Sequence, residues 1–139
     1  MQTKTQQIFQ LTAPYNNKYQ GKEPRLLFVC SVGLLRSPTC ADIATKLGFN
    51  ARSCGSDSAA LIPLSVNLLY WADKVIFVNT ENKLQALSTF EHHEDCISII
   101  HRKGIVMGIQ DDYERNDSEL ISKVTPVIVE LKDTYKDWF

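Results

Sequence analysis

Residues 26–38 read LLFVCSVGLLRSP. The apolar run 26–29 is typical of a strand buried on both faces of a parallel sheet, and it ends at Cys30. Pro38 suits the first turn of a helix, and apolar residues at helical spacing follow it. The stretch therefore predicts a strand, a tight loop and a helix in direct succession, which is a unit typical of α/β folds.

The loop between this strand and helix has the features of an anion site. Backbone N–H groups converge at a helix N-terminus, and the helix dipole there favours anions and the thiolate form of a cysteine. Arg36 adds a planar fork of donors suited to two phosphate oxygens, and Ser37 is placed to donate a hydrogen bond to the Cys30 sulfur. Gly33 permits the positive φ that such a turn often requires. The predicted phosphate-binding residues are Ser31, Val32, Gly33, Leu34, Leu35, Arg36 and Ser37.

The composition predicts a globular protein without a nucleic-acid or membrane partner. The chain has 139 residues, of which 44% are hydrophobic and 22% charged, with a net charge of −1. No apolar run approaches the roughly 20 residues of a membrane span, and the N-terminus lacks a signal-peptide core. The four cysteines have irregular spacings that fit no disulfide framework. Reduced thiols of this kind favour a cytoplasmic location.

The pattern of apolar runs and helical segments predicts an α/β fold with a four-stranded parallel sheet flanked by helices. The phosphate-binding loop lies between the first strand and the first helix. We expect a polar N-terminal extension over residues 1–24 and one domain over residues 25–139. Gly48 should end the first helix, and Pro126 should kink or break the last. The predicted strands are 25–30, 49–54, 74–78 and 96–100, and the predicted helices are 38–47, 65–72, 81–87 and 118–135.

Attack of a thiolate on a phosphate monoester also requires a proton donor for the departing alcohol or phenol. Asp111 and Asp112 follow a glycine-containing loop and precede the last helix. Adjacent carboxylates repel, which raises the pKa of one of them. Tyr113 is placed to pack against an aromatic leaving group. An acidic pair of this kind is also typical of a solvated loop, so both interpretations stay open on the residues alone.

Several segments, in order, resemble the low-molecular-weight protein tyrosine phosphatases. The motif Cys30-Ser31-x-x-x-x-Arg36-Ser37-Pro38-Thr39, with the strand before it, resembles the family signature. Residues 71–78 (WADKVIFV), 111–114 (DDYE) and 117–120 (DSEL) are similar to segments of a branch of predicted small bacterial tyrosine phosphatases. Residues 53–56 (SCGS) lie where the family has a Ser-Ala-Gly-Thr-like turn. The resemblance covers about residues 25–135.

The resemblance implies roles for individual residues. Cys30 would be the nucleophile that forms a phosphocysteine intermediate, Arg36 would bind phosphate, and Asp111 would be the general acid. The substrate would be a phosphorylated protein carrying phosphotyrosine, or a small aryl phosphate, and no metal or organic cofactor is implied. The chain departs from the family at Gly33, where an asparagine is usual, and at Asp112, where a proline is common.

Two other functions fit parts of the pattern. A phosphate-binding module without turnover would recognise a phosphorylated partner or a nucleotide, and Gly33 and the N-terminal extension keep this alternative open. Arsenate reduction on the same fold requires a closely spaced cysteine pair, whereas Cys96 stands alone late in the chain. The cluster over residues 91–96 fits no zinc pattern and predicts a solvated loop.

Overall fold

The computed structural model describes residues 24–31, 36–109 and 118–134, and of Arg36 and Thr134 it describes the backbone alone. Residues 1–23, which make up nearly all of the predicted extension, lie outside this part. The strands are β1 (Arg25–Cys30), β2 (Asn50–Gly55), β3 (Lys74–Phe77) and β4 (Gly104–Val106). The helices are α1 (Arg36–Lys46), α2 (Val66–Trp71), α3 (Thr80–Thr89), α4 (Glu94–Lys103) and α5 (Ser118–Thr134).

The four strands form one parallel sheet in the order β2-β1-β3-β4. In the central strand, Phe28 pairs with Ser53 of β2 on one side and with Ile76 of β3 on the other. Helices cover both faces of this sheet, so the predicted α/β class, with its four-stranded parallel sheet, is confirmed.

Strand β1 is the centre of the core because its unbroken apolar sequence suits both faces at once. Leu26 and Phe28 pack in the cluster that contains α1 and α5, whereas Leu27 and Val29 pack in the cluster that contains α2, α3 and α4. All four side chains are fully or almost fully buried. This alternation follows from the two-residue period of a strand, and it places Cys30 on the α1 and α5 face.

The sequence-based assignment of the fourth strand is wrong. Residues 96–100 belong to α4, in which Cys96, Ile99 and Ile100 form the buried face at helical spacing. Acidic residues in the first turn and basic residues in the last also suit the helix dipole. A short apolar run of this kind fits a buried strand or a helix face equally well, and packing against the sheet decides for the helix.

The fourth strand is instead the short β4, which starts where a loop was predicted. Gly104 follows the last residue of α4 directly and opens the strand. A Cβ atom at this position would collide with the backbone carbonyl of Ile100, so only glycine allows the chain to pass from helix to strand without a connecting loop.

The remaining boundaries agree with the sequence to within a few residues. Gly48 follows α1 with a φ of +99°, as expected for a helix-ending glycine. Helix α5 continues across Pro126, so no break occurs there. Only residues 91–93 of the predicted loop over residues 91–96 lie outside a helix. Among the described helices, none combines the length and apolar character that a membrane crossing needs.

Candidate active site

Cys30 lies at the end of the central strand, on what we call the carboxyl edge of the sheet. This edge is formed by the last residues of the four strands, Cys30, Gly55, Phe77 and Val106. Ligands of parallel α/β sheets bind outside this edge. Helix α1 begins at Arg36, six residues after Cys30, so its N-terminus lies close to the same edge.

The Cys30 sulfur lies 3.1 Å from the Ser37 hydroxyl oxygen, which is the contact that the sequence predicted. Ser37 is the second residue of α1 and is completely buried. Its hydroxyl also lies 3.3 Å from the backbone carbonyl of Cys54 and donates to it. A hydroxyl has one hydrogen, so the Ser37 hydroxyl can donate either to the Cys54 carbonyl or to the Cys30 sulfur at any one time.

The backbone after β1 is held by the segment that follows β2. The Ser56 N–H donates to the Cys30 carbonyl and the Asp57 N–H donates to the Ser31 carbonyl, each at 2.8 Å. The C=O and N–H of a planar trans peptide point in opposite directions. Because the Cys30 carbonyl points toward β2, the Ser31 N–H points away from β2. The hydrogen bonds from Ser56 and Asp57 therefore set the direction in which the chain leaves β1.

A network of uncharged polar side chains adjoins the same point, and the sequence analysis did not single it out. Asn82 in the first turn of α3 donates from Nδ2 to the Ser31 hydroxyl at 3.1 Å and to the Ser56 hydroxyl at 3.5 Å. Ser56 in turn donates to Oε1 of Gln85 at 2.6 Å. The signal that could have revealed Asn82 is its spacing of three residues from Asn79, with which it forms a capping box.

The second cysteine near the site is kept in its thiol form. Burial raises the pKa of the Cys54 thiol well above its ordinary value, and the charge of Cys30 raises it further. Cys54 pairs with Val29 and packs on the sheet face opposite to that of Cys30. All four cysteines lie in the described part of the chain, are buried and form no disulfide. Of the two neighbouring thiols, Cys30 is the one with a hydroxyl beside its sulfur.

The other predicted site residues lie outside the described residues. They are Val32, Gly33, Leu34, Leu35, the side chain of Arg36, Asp111, Asp112 and Tyr113. The chain that leads to the acidic pair is described as far as Ile109, whose N–H donates to the Val78 carbonyl just beyond β3. Ile109 packs in the same apolar cluster as Cys30. The segment before Asp111 therefore runs along the carboxyl edge.

Metal binding has no support in the described residues, where no group of three or more potential ligands could hold an ion. The same holds for His92, His93 and His101, which belong to no such group. The roles of individual residues in phosphate chemistry stay predictions.

Comparison with known proteins identifies the fold. No family model and no curated protein matches the sequence. The solved structure of SP-PTP, a low-molecular-weight protein tyrosine phosphatase from Streptococcus pyogenes, matches with a TM-score of 0.65 at 13% identity, over 80% of this chain and 92% of that one. YwlE arginine phosphatase from Geobacillus stearothermophilus matches with a TM-score of 0.59 at 16% identity, over 82% and 96%. Vibrio vulnificus Wzb in complex with benzylphosphonate matches with a TM-score of 0.58 at 14% identity, over 85% and 100%.

These likenesses confirm the resemblance at the level of the fold. The chain has the α/β fold of the low-molecular-weight protein tyrosine phosphatases, and it spans nearly the whole length of each of these solved chains. At these identities the fold is what the likeness establishes, and the reaction has to be argued from the site itself.

Proposed function

We propose that the chain is a phosphomonoester hydrolase that uses Cys30 as its nucleophile. The observation that carries the proposal is the 3.1 Å contact between the Cys30 sulfur and the Ser37 hydroxyl, at the end of a central parallel strand and in the first turn of α1. A hydroxyl that can donate to sulfur stabilises a thiolate before attack and again when the thiolate leaves. The structural neighbours named as phosphatases support the hydrolysis of a phosphoryl group in general.

The reaction has two steps. In the first, the Cys30 thiolate attacks phosphorus, the bond from phosphorus to the leaving oxygen breaks, and the general acid protonates that oxygen. In the second, the resulting carboxylate takes a proton from water, the water oxygen attacks phosphorus, and the bond from phosphorus to sulfur breaks. The products are an alcohol or phenol, inorganic phosphate and the original thiolate.

We assign the general acid to Asp111, with Asp112 as the alternative, and phosphate binding to Arg36 and the loop amides. Asp111 lies two residues beyond Ile109, a separation that the chain spans in at most about 7 Å. Ile109 is bonded at the carboxyl edge and shares a cluster with Cys30, and this short separation along the chain supports both assignments. Tyr113 would then line the side of the pocket that receives an aromatic leaving group.

Hydrolysis of p-nitrophenyl phosphate between pH 5 and 8 tests the proposal. We expect Cys30→Ser to abolish turnover and Asp111→Asn to lower kcat by about 100-fold, the size typical of a lost general acid. Cys96→Ala, which removes a buried thiol from α4, is the matched control and should keep its turnover. An Asp111→Asn variant with full activity would move the acid assignment to Asp112.

The alternative function is a phosphate-binding module, which the glycine at position 33 of the loop favours. Vanadate binding by the wild type without any hydrolysis would establish that alternative and exclude the enzyme. The neighbours are named as phosphatases of tyrosine and of arginine, so peptides carrying phosphotyrosine and phosphoarginine should be compared directly. We expect the phosphotyrosine peptide to be the better substrate.

A further inference from the structure

The loop that follows Cys30 has few side chains with which to hold itself in place. Its four central residues, Val32, Gly33, Leu34 and Leu35, have no hydrogen-bonding group in their side chains. The loop's own side chains can therefore form hydrogen bonds only at its two ends, which are Ser31 at the start and Arg36 and Ser37 at the finish. Ser37 is already tied to Cys30 and to the Cys54 carbonyl.

The start of the loop is tied to α3 by one buried side chain. Asn82 is 1% exposed, and its Oδ1 accepts from the Asn79 N–H at 3.1 Å. A backbone N–H can only donate, so this bond fixes which end of the Asn82 amide is oxygen. The two N–H groups of Nδ2 consequently face the hydroxyls of Ser31 and Ser56. The orientation of the amide thus follows from the helix cap.

The geometry points to Asn82 as a positioning residue. It holds Ser31, the first residue of the phosphate loop, in the orientation that the loop needs to bind the anion. Three bonds converge on this short segment: Asn82 to the Ser31 hydroxyl, Ser56 to the Cys30 carbonyl and Asp57 to the Ser31 carbonyl. Asn82 also contacts the Ser56 hydroxyl, so it links the segment that follows β1 to the segment that follows β2. This inference rests on the proposed phosphate site at residues 30–37.

Asn82 acts from outside the loop and does not touch the reacting atoms. A loop amide displaced by a fraction of an ångström still binds phosphate, but more weakly, and it stabilises the transition state less. We therefore expect Asn82→Ala to weaken phosphate binding by about tenfold and to lower kcat by about tenfold, in the range of a lost supporting hydrogen bond.

Asn79→Ala is the matched control for the loss of the helix cap. Asn79 and Asn82 are reciprocal partners in the same capping box, so both variants weaken the start of α3. Only Asn82 is bonded to Ser31. We expect similar melting temperatures for the two variants, with turnover and phosphate binding reduced in Asn82→Ala alone.

The experiment measures five quantities on the wild type, Asn82→Ala, Asn79→Ala, Ser31→Ala and the Asn82→Ala, Ser31→Ala double variant. They are the melting temperature, kcat and KM for p-nitrophenyl phosphate, the Kd for inorganic phosphate, and the exchange rates of the Ser56 and Asp57 amide hydrogens. If Asn82 works through Ser31, the double variant is no more impaired than the worse single variant. Equal kcat and Kd in Asn82→Ala and Asn79→Ala, or fully additive effects with Ser31→Ala, would overturn the inference.

Amide exchange separates failure of this inference from failure of the proposed function. A wild type that neither binds phosphate nor hydrolyses the ester would contradict the phosphatase proposal. Asn82 would then have no role in catalysis. The exchange rates would still decide whether Asn82 holds the strand end. Faster exchange of the Ser56 and Asp57 amides in Asn82→Ala than in Asn79→Ala supports the positioning role, and equal exchange contradicts it.

Discussion

The two edges of the sheet use polar side chains in opposite ways. At the carboxyl edge, three polar groups of the described residues near Cys30 are buried and uncharged: Ser37 is completely buried, and Ser56 and Asn82 are almost completely so. At the amino edge, where the strands begin, the groups are charged and partly exposed. The side chains of Arg25 and Asp73 are 41% and 38% exposed in their ion pair.

The amino edge uses its charges to fasten the backbone. The Asp73 carboxylate accepts from the Arg25 N–H at 2.8 Å and thereby joins the loop before β3 to the start of β1. Nζ of Lys103 donates to the Ala72 carbonyl at 2.6 Å and to the Leu69 carbonyl at 3.0 Å, which caps the C-terminal end of α2. These groups stabilise the ends of secondary structure and lie at the edge away from Cys30.

The difference follows from the cost of burial. A charge that keeps part of its hydration is inexpensive at a surface, whereas a buried charge without a partner is costly. In the proposed function the carboxyl edge receives a phosphate dianion, and neutral donors that are already ordered suit such a ligand. We therefore expect changes at the carboxyl edge to alter turnover and changes at the amino edge to alter stability.

Among changes at the residues that adjoin Cys30 and at the amino edge, the largest effect should come from Ser37→Ala at the carboxyl edge. The variant removes the hydroxyl that lies 3.1 Å from the Cys30 sulfur, and we expect kcat to fall by about 100-fold, or ~2.7 kcal/mol. Steady-state kinetics with p-nitrophenyl phosphate measures the change. Thr45→Ala is the control, because Thr45 is on the same helix and its hydroxyl donates to the Ala41 carbonyl within that helix. Equal losses in the two variants would show that Ser37 acts through helix stability.

Lys103→Met, at the amino edge, should affect stability alone. The variant leaves the Leu69 and Ala72 carbonyls without their charged donor, and we expect the free energy of unfolding to fall by about 2 kcal/mol with kcat unchanged. Urea denaturation gives the first quantity. Lys132→Met is the control, since the exposed Lys132 donates to a single carbonyl, that of Leu47, and should cost less than about 0.5 kcal/mol. A fall in kcat for Lys103→Met would contradict the expectation that changes at the amino edge alter stability and leave turnover unchanged.

Cys54 should make the protein less stable in alkali. Its pKa is raised in the folded state, so above the ordinary thiol pKa of about 8.5 the unfolded chain loses a proton that the folded chain keeps. Stability then falls with rising pH by up to ~1.4 kcal/mol per pH unit from this group. Cys54→Val should have a shallower decline between pH 8.5 and 10 in urea denaturation. Val29→Ala, at the paired position on the same sheet face, should retain the steep decline.

The smallest effect is expected for Asp73→Asn. The amide oxygen still accepts from the Arg25 N–H, so the variant loses the half-exposed ion pair and the attraction of the Asp73 charge for Lys74 and Lys103. All of these groups are partly exposed, and the free energy of unfolding should fall by about 0.5 kcal/mol. The difference from the wild type should shrink in 1 M salt, because screening weakens the pair. Glu119→Gln, which removes the exposed pair with Lys123 on α5, provides a comparison of similar size. A loss above about 2 kcal/mol would contradict the minor contribution expected for the Asp73 charge.

The sequence predicted most of the fold wherever local signals agreed with one another. Strand β1, helix α1 and the glycine that ends it were all expected, and so was the contact between Cys30 and Ser37. The assignment failed at residues 96–100, where the pattern of apolar residues suited a strand and a helix equally. The position of β4 was missed because Gly104 reads as a loop residue until the chain before it is known to be helical.

What the sequence determined by itself is the strand, loop and helix unit over residues 25–48, because its signals lie within a few residues of one another: an unbroken apolar run, a helix start and a terminal glycine. Only the tertiary structure decided which buried side chains hold the loop. Asn82 and Ser31 are 51 positions apart, and they meet because β1 and β3 are adjacent parallel strands whose carboxyl ends share one edge. No local pattern encodes that contact. It arises when packing on both faces of the sheet brings α3 to the end of the central strand.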